Sequence, residues 1–139
     1  MRRIIFIISF VFINSFQLMA QELSTINVQV KNLRSDEGQL MAGLYKSEED
    51  FLSQVYRGEV VKIKDGIATI SFLNIPQGTY AVSVFHDENS NNKLDTNFLG
   101  IPKEDYGASN NAKGFMGPPK WEDAVIRLTD KPLDIVIKI

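Results

Sequence analysis

Apolar and polar residues alternate with a period of two along most of this chain. Between Ser24 and Leu33, Ile26, Val28 and Val30 fall on one face and Asn27, Gln29 and Lys31 on the other. That is the pattern of a half-buried strand. Ser35-Asp36-Glu37-Gly38 is turn chemistry, and Gln39 to Tyr45 resumes the alternation through Leu40, Ala42 and Leu44, so the two runs predict a hairpin. Val60 to Lys64 and Ile67 to Leu73 predict two more strands, joined by the strong two-residue turn signal Asp65-Gly66. After the turn residues Asn74-Ile75-Pro76-Gln77-Gly78, Thr79 to Phe85 is largely apolar on both faces and predicts a central strand. Ala124 to Leu128 and Leu133 to Ile139 predict two closing strands.

Seven strands joined mostly by short turns, with no long helix between them, exclude a parallel α/β fold. They leave an all-β antiparallel β-sandwich or barrel with one long loop excursion. Two short stretches depart from the strand pattern. Ser47-Glu48-Glu49-Asp50-Phe51-Leu52 predicts a helical turn capped by Ser47, with Phe51, Leu52 and Val55 packed under the sheet. Its three acids are read as a solvated cap, with a carboxylate cluster as the alternative. Lys120 to Ala124 predicts a helical turn that buries Trp121.

The first twenty residues follow another pattern. Arg2 and Arg3 precede an apolar run from Ile4 to Ile13 broken only by Ser9, and Asn14 to Ala20 leads to a cleavage site after Ala20. This is the layout of a secretory signal peptide, with an apolar core too short for a comfortable membrane span. An uncleaved anchor is the alternative. Residues 1–20 are therefore read as a leader and 21–139 as a single domain, exported to the periplasm or secreted, with no membrane span after cleavage. Two of the 15 basic residues and none of the 17 acidic ones lie in the leader, which leaves thirteen against seventeen and a net charge of −4. No basic run exists to neutralise phosphates, so nucleic acid is not an expected partner. Cysteine is absent, which excludes disulfides, thiolate metal sites and a lipidated cysteine after the leader.

Candidate chemistry concentrates after the central strand. His86-Asp87-Glu88-Asn89-Ser90-Asn91-Asn92-Lys93-Leu94-Asp95 sets side-chain oxygens at Asp87, Asn89, Asn91 and Asp95. Counted from Asp87, these are positions one, three, five and nine of an EF-hand-like calcium loop, with the Lys93 carbonyl at seven. Asn92 replaces the glycine usual at six, and Phe98 falls where a bidentate carboxylate is expected. With few carboxylates, such a loop binds calcium weakly, in the manner of extracellular modules. The alternative is an Asn/Asp turn held by side-chain to backbone hydrogen bonds without an ion.

His86, the sole histidine, and Ser109 suggest a hydrolase as an alternative function. Adjacent strand residues face opposite ways, however, so Asp87 is badly placed to orient the ring, and no nucleophile-elbow motif surrounds Ser109. Residues 98–121 contain Phe98, Tyr106, Phe115, Trp121 and the trio Ser109-Asn110-Asn111. Amides beside aromatic rings suit a carbohydrate or peptide ligand. His86, Tyr106, Ser109, Asn110 and Asn111 are the expected ligand surface, for a carbohydrate or a cell-envelope protein. The aromatics of the loop are read first as a mini-core of its own, and a purely structural envelope protein without a ligand is a further alternative.

The runs Tyr80-Ala81-Val82-Ser83-Val84-Phe85-His86-Asp87-Glu88-Asn89, Lys93-Leu94-Asp95-Thr96-Asn97, Gly100-Ile101-Pro102-Lys103-Glu104 and Tyr106-Gly107-Ala108-Ser109-Asn110-Asn111-Ala112, with Gly117-Pro118-Pro119, resemble an uncharacterised family of exported bacterial proteins, domain of unknown function 2141. The resemblance covers essentially the whole of residues 21–139. It implies a signal peptide and a small sandwich of the transthyretin-like or immunoglobulin-like kind, and no established activity. Family members often carry glycine where this chain has Ser90 and Asn92. The terminal Tyr-Arg-Gly-Ser motif of transthyretin-like hydrolases is absent, so fold kinship gives no warrant for that enzyme.

Overall fold

The computed structural model describes residues 21–139, so the expected leader lies outside the described residues. The first strand, β1 (Leu23–Lys31), buries Ile26, Val28 and Val30 completely and leaves their polar neighbours nearer the surface, as its alternation dictates. β1 lies between β4 (Ala68–Pro76), antiparallel, and β8 (Leu133–Lys138), parallel. A second sheet has the order β3-β2-β5-β6, from β2 (Gln39–Tyr45), β3 (Arg57–Val61), β5 (Gly78–Asp87) and β6 (Tyr106–Ala108). Its fifth strand, β7 (Ile126–Leu128), pairs with the beginning of β5. The result is an all-β sandwich of three and five strands.

Val28, Ile70, Phe72 and Ile137 from the first sheet share one core with Leu40, Val82 and Val84 from the second. Burying each such side chain contributes about 1.5–3 kcal/mol before conformational entropy is subtracted. β5 is central, as its two apolar faces predict, pairing with β2 on one side and with β6 and β7 in succession on the other.

Several expectations change. β1 and β2 do not form a hairpin; the chain crosses from one sheet to the other between them. A strand with one apolar face can bury it beside its neighbour or opposite it, and periodicity does not distinguish the two. Asp65-Gly66 is the expected tight turn: Lys64 and Ile67 exchange N–H···O bonds of 2.9 and 3.0 Å across it, with φ of 54° and 69°. The flanking strands nevertheless enter different sheets, and Asp36 from the β1–β2 crossing holds the turn by accepting the Asp65 and Gly66 N–H groups, each at 2.8 Å.

β3 begins at Arg57, before the expected start at Val60, and β4 runs on to Pro76. A register shift opposite Ser24 and Ile26, with Asn74 at φ 56°, lets Phe72 and Ile75 both face the core although they are three residues apart. β6 has no counterpart among the expected seven strands and the β1–β8 pair is parallel, so the described residues form eight strands and the pairing is not wholly antiparallel.

The segment after Ser47 is a turn rather than a helix. Ser47 caps it through the Asp50 N–H, but Leu52 and Val55 are exposed. Only Phe51 packs, edge-on against Tyr45 and Trp121 with ring centroids 5.4 and 5.8 Å away. The single helical turn α1 (Trp121–Ala124) forms as expected, but Trp121 is half-buried rather than buried. No helix among the described residues is long and apolar enough to cross a membrane.

Candidate functional site

β5 ends by turning His86 toward the core side and Asp87 toward the opposite face, and both are fully buried. The Asp87 carboxylate accepts the Asn91 N–H at 3.1 Å on one oxygen, and the Asn92 N–H at 2.9 Å and the Gln39 side-chain amide at 2.8 Å on the other. Burial pushes this carboxyl up, but the bonds from Gln39 and from the Asn92, Asn91 and Ser90 N–H groups outweigh it and hold the group below its ordinary value. Gly38 covers the same point from the β1–β2 crossing. Its φ is +70°, and a Cβ there would lie 2.1 Å from the Asp87 carbonyl oxygen, so only glycine allows this approach.

Above Asp87, the loop side chains converge. Asn89 and Asn91 donate their amides to the two oxygens of Asp95 at 2.6 and 3.0 Å. Their own oxygens accept the Asn91 and Lys93 N–H groups at 3.1 and 2.9 Å. Ser90 and Asn92 take left-handed φ of 56° and 63°. Asn92 thus adopts the conformation that glycine usually supplies at position six, which asparagine tolerates better than most residues.

A further carboxylate closes the loop. Glu104 is buried, and its two oxygens accept the N–H groups of Glu88 and Asp95, each at 3.0 Å. The Lys103 N–H adds a bond to the Asp95 carbonyl at 2.8 Å, and the neighbouring Asp105 forms a two-pronged pair with Arg34. Glu104 was overlooked as a functional candidate. It stands nine residues beyond Asp95, outside any loop template, and its one signal in the sequence is its place in the family-like run Gly100–Glu104.

Three of the five expected metal positions bring their side chains together, Asn89, Asn91 and Asp95, and Asp87 joins them through the Asn91 N–H, which its carboxylate shares with the Asn89 oxygen. Lys93 contributes its N–H to the same hydrogen-bond web, and its side chain is exposed. Among the described residues no group of three or more His, Cys, Asp or Glu side chains is placed to hold a metal. A cation here would have two carboxylates, with amide and carbonyl oxygens making up the rest. The Asn89 and Asn91 amides face Asp95 with their nitrogens, so presenting oxygen to a cation means turning each amide over and giving up its bond to the Asn91 or Lys93 N–H, a loss the ion's coordination has to offset.

His86 and Ser109 have other work. The His86 Nε2–H donates to the Glu37 carbonyl at 2.7 Å, and the buried Nδ1 has no hydrogen-bond partner among the described residues. Ser109, also fully buried, fills the gap in the β5 ladder between β6, which pairs with residues 83–85, and β7, which pairs with 78–80. Its oxygen accepts the Val82 N–H at 3.0 Å and its hydroxyl donates to the Ala124 carbonyl. A hydroxyl so committed is not available as a nucleophile. Val82 also lies four residues from His86 along the strand, about 13 Å.

The other members of the expected ligand surface divide. The Asn110 amide is bound to the Asp123 and Val125 carbonyls at 3.2 and 2.8 Å. Asn111 accepts the Lys138 N–H at 2.8 Å and so ties β8 to this corner. Tyr106 and Asn111 line one cavity of about 280 Å³. Of the excursion's aromatics, Trp121 joins a small second core with Ala81, Ala108, Ala112, Ala124 and Phe51, whereas Phe98 is 94% exposed and Phe115 93%. Phe98, Leu99 and Ile101 instead ride on a small hairpin closed by the Asn97 N–H to Ile101 carbonyl bond at 2.9 Å. The Asn97 side chain caps its tip by accepting the Leu99 and Ile101 N–H groups at 2.9 and 3.0 Å.

Residues 28–136 match a bacterial family described as "Uncharacterized protein conserved in bacteria (DUF2141)". No curated protein and no solved structure matches the chain. The chain belongs to the DUF2141 family.

Proposed function

We propose that this protein is an exported, non-catalytic β-sandwich module whose Asp87–Asp95 loop binds calcium. On this reading the ion stiffens the excursion that carries residues 96–102 and presents it to a cell-envelope partner or a carbohydrate. One observation carries the proposal: Asn89 and Asn91 close on Asp95 while the buried Asp87 accepts the Asn91 and Asn92 N–H groups, with left-handed Ser90 and Asn92 supplying the loop's curvature. Two carboxylates with amide and carbonyl oxygens suit a hard cation held weakly, at the sub-millimolar to millimolar level of extracellular modules.

The committed hydroxyl of Ser109 and the core-side ring of His86 favour the non-catalytic reading over the hydrolase. The exposed Phe98, Leu99 and Ile101 on a well-bonded tip favour a partner surface, because apolar side chains grouped in solvent mark interaction sites. Of the two fold kinships, the sheet order fits the transthyretin-like one better. In an immunoglobulin constant domain the first two strands share a sheet, and here they do not.

A calcium titration followed through backbone amide resonances tests the site. Saturable movement of the Asn91, Asn92 and Lys93 signals is expected. Signals that stay still at millimolar calcium would leave a self-sufficient hydrogen-bonded loop and the structural envelope protein as the better account.

A further inference from the structure

The edges of the two sheets meet at one corner of the sandwich. β6 ends the second sheet and β8 ends the first, and the segment after Ser109 runs between them, tied to β8 by the Asn111–Lys138 bond. The cavity of about 280 Å³ opens at this corner. Its small residues, Gly107, Ala108, Ala112 and Gly114, keep it open, and Gly107 packs so closely that a Cβ there would stand 2.8 Å from the Ile137 side chain.

What lines it is chemically uneven. Lys113 and Lys138 are both among the residues that line it, and no acidic residue is, although the chain as a whole carries more acids than bases. Neither lysine forms an ion pair among the described residues, and the neighbouring acid in sequence, Asp105, is already paired with Arg34. Tyr106, which is 41% exposed, adds an aromatic ring to the same wall.

From this we infer that the β6–β8 corner is a binding site for an anionic sugar. The pyranose ring lies against Tyr106, and its carboxylate or phosphate is held by Lys113 and Lys138. Two lysines in the lining, neither in an ion pair among the described residues, and a half-exposed aromatic ring match the two features of such a ligand, a negative charge and a flat apolar face. The volume is at the lower end for ligand pockets, which fits one saccharide unit at a time. The inference rests on the carbohydrate side of the proposed function and is independent of calcium.

The test is a titration of the purified protein with D-glucuronate, D-glucose 6-phosphate, D-glucose and inorganic phosphate, followed through backbone amide resonances. It is run once with calcium and once with EDTA. Saturable movement of the Tyr106, Gly107 and Lys138 signals is expected with one or both anionic sugars, in both buffers, and the more effective of the two identifies the acidic group preferred. K113Q and K138Q, which alter exposed side chains only, should each weaken binding by about tenfold, the loss of one charge-assisted contact, with all distant signals unchanged. The inference is overturned if neither anionic sugar moves these signals, if glucose or inorganic phosphate does so equally well, or if both variants bind like the parent. Failure here with calcium-dependent shifts intact at Asn92 would leave the calcium proposal standing.

Discussion

The buried carboxylate of Glu104 accepts the backbone N–H of Asp95 at 3.0 Å, and so fixes the far end of the Asp/Asn loop to the segment leading into β6. Its other oxygen holds the Glu88 N–H at the same distance, so one side chain spans both ends of the loop. The ordering of the excursion therefore depends on an acid outside the loop as much as on those within it.

Glu104→Gln should be costly for this reason. An amide offers one acceptor where two are needed and sets its NH₂ against a backbone donor, a loss of about 1–3 kcal/mol. Hydrogen exchange is expected to accelerate at the Glu88 and Asp95 amides well before it does in β1 or β2. Unchanged protection at both amides would show that Glu104 is not their anchor.

Ser109→Ala tests whether this hydroxyl is a peg. Removing it strands the buried Val82 N–H and Ala124 carbonyl, which should lower unfolding free energy by about 1–3 kcal/mol. In urea, the midpoint should fall while the slope is preserved. A variant as stable as the parent would return Ser109 to the list of groups free to do chemistry.

The loop and its surroundings were legible in the sequence to different depths. Alternation located seven of the eight strands, because Ile26, Val28 and Val30 or Leu40, Ala42 and Leu44 can bury only one face. It was silent on which sheet each strand joins, and the Ser35–Gly38 turn residues suggested a hairpin where the chain crosses between layers. β6 is three residues, Tyr-Gly-Ala, too short to display any period. The convergence of Asn89, Asn91 and Asp95 followed from their spacing. The roles of Ser109, Asn110 and Asn111 did not, because what they bind are backbone groups of β5, the α1–β7 segment and β8, distant in sequence. Phe98 and Phe115, read as members of a loop mini-core because a long loop needs apolar side chains to hold itself together, are at the surface.

Acid should loosen the protein through Asp87. Its hydrogen bonds hold the folded carboxyl below its ordinary value, so the stability it contributes is fully present above the unfolded value, about pH 4. That contribution is lost as pH falls through the lower folded value. Asp36 shifts the same way through its bonds to the Gly66 and Asp65 N–H groups. Melting curves between neutral pH and about pH 3 should fall less steeply for Asp87→Asn than for the parent. Parallel curves would mean that Asp87 titrates alike in both states.

The central claim is that the side chains gathered around Asp95 hold calcium, and the melting temperature with and without the ion tests it most directly. At about ten times its dissociation constant, calcium adds roughly 1.4 kcal/mol. For a domain of this size that corresponds to a rise of about 4–7 °C. The parent should show that rise, with EDTA reversing it, and a protein carrying Asp87→Ala with Asp95→Ala should show none. A melting temperature in the parent that does not respond to millimolar calcium would contradict the account.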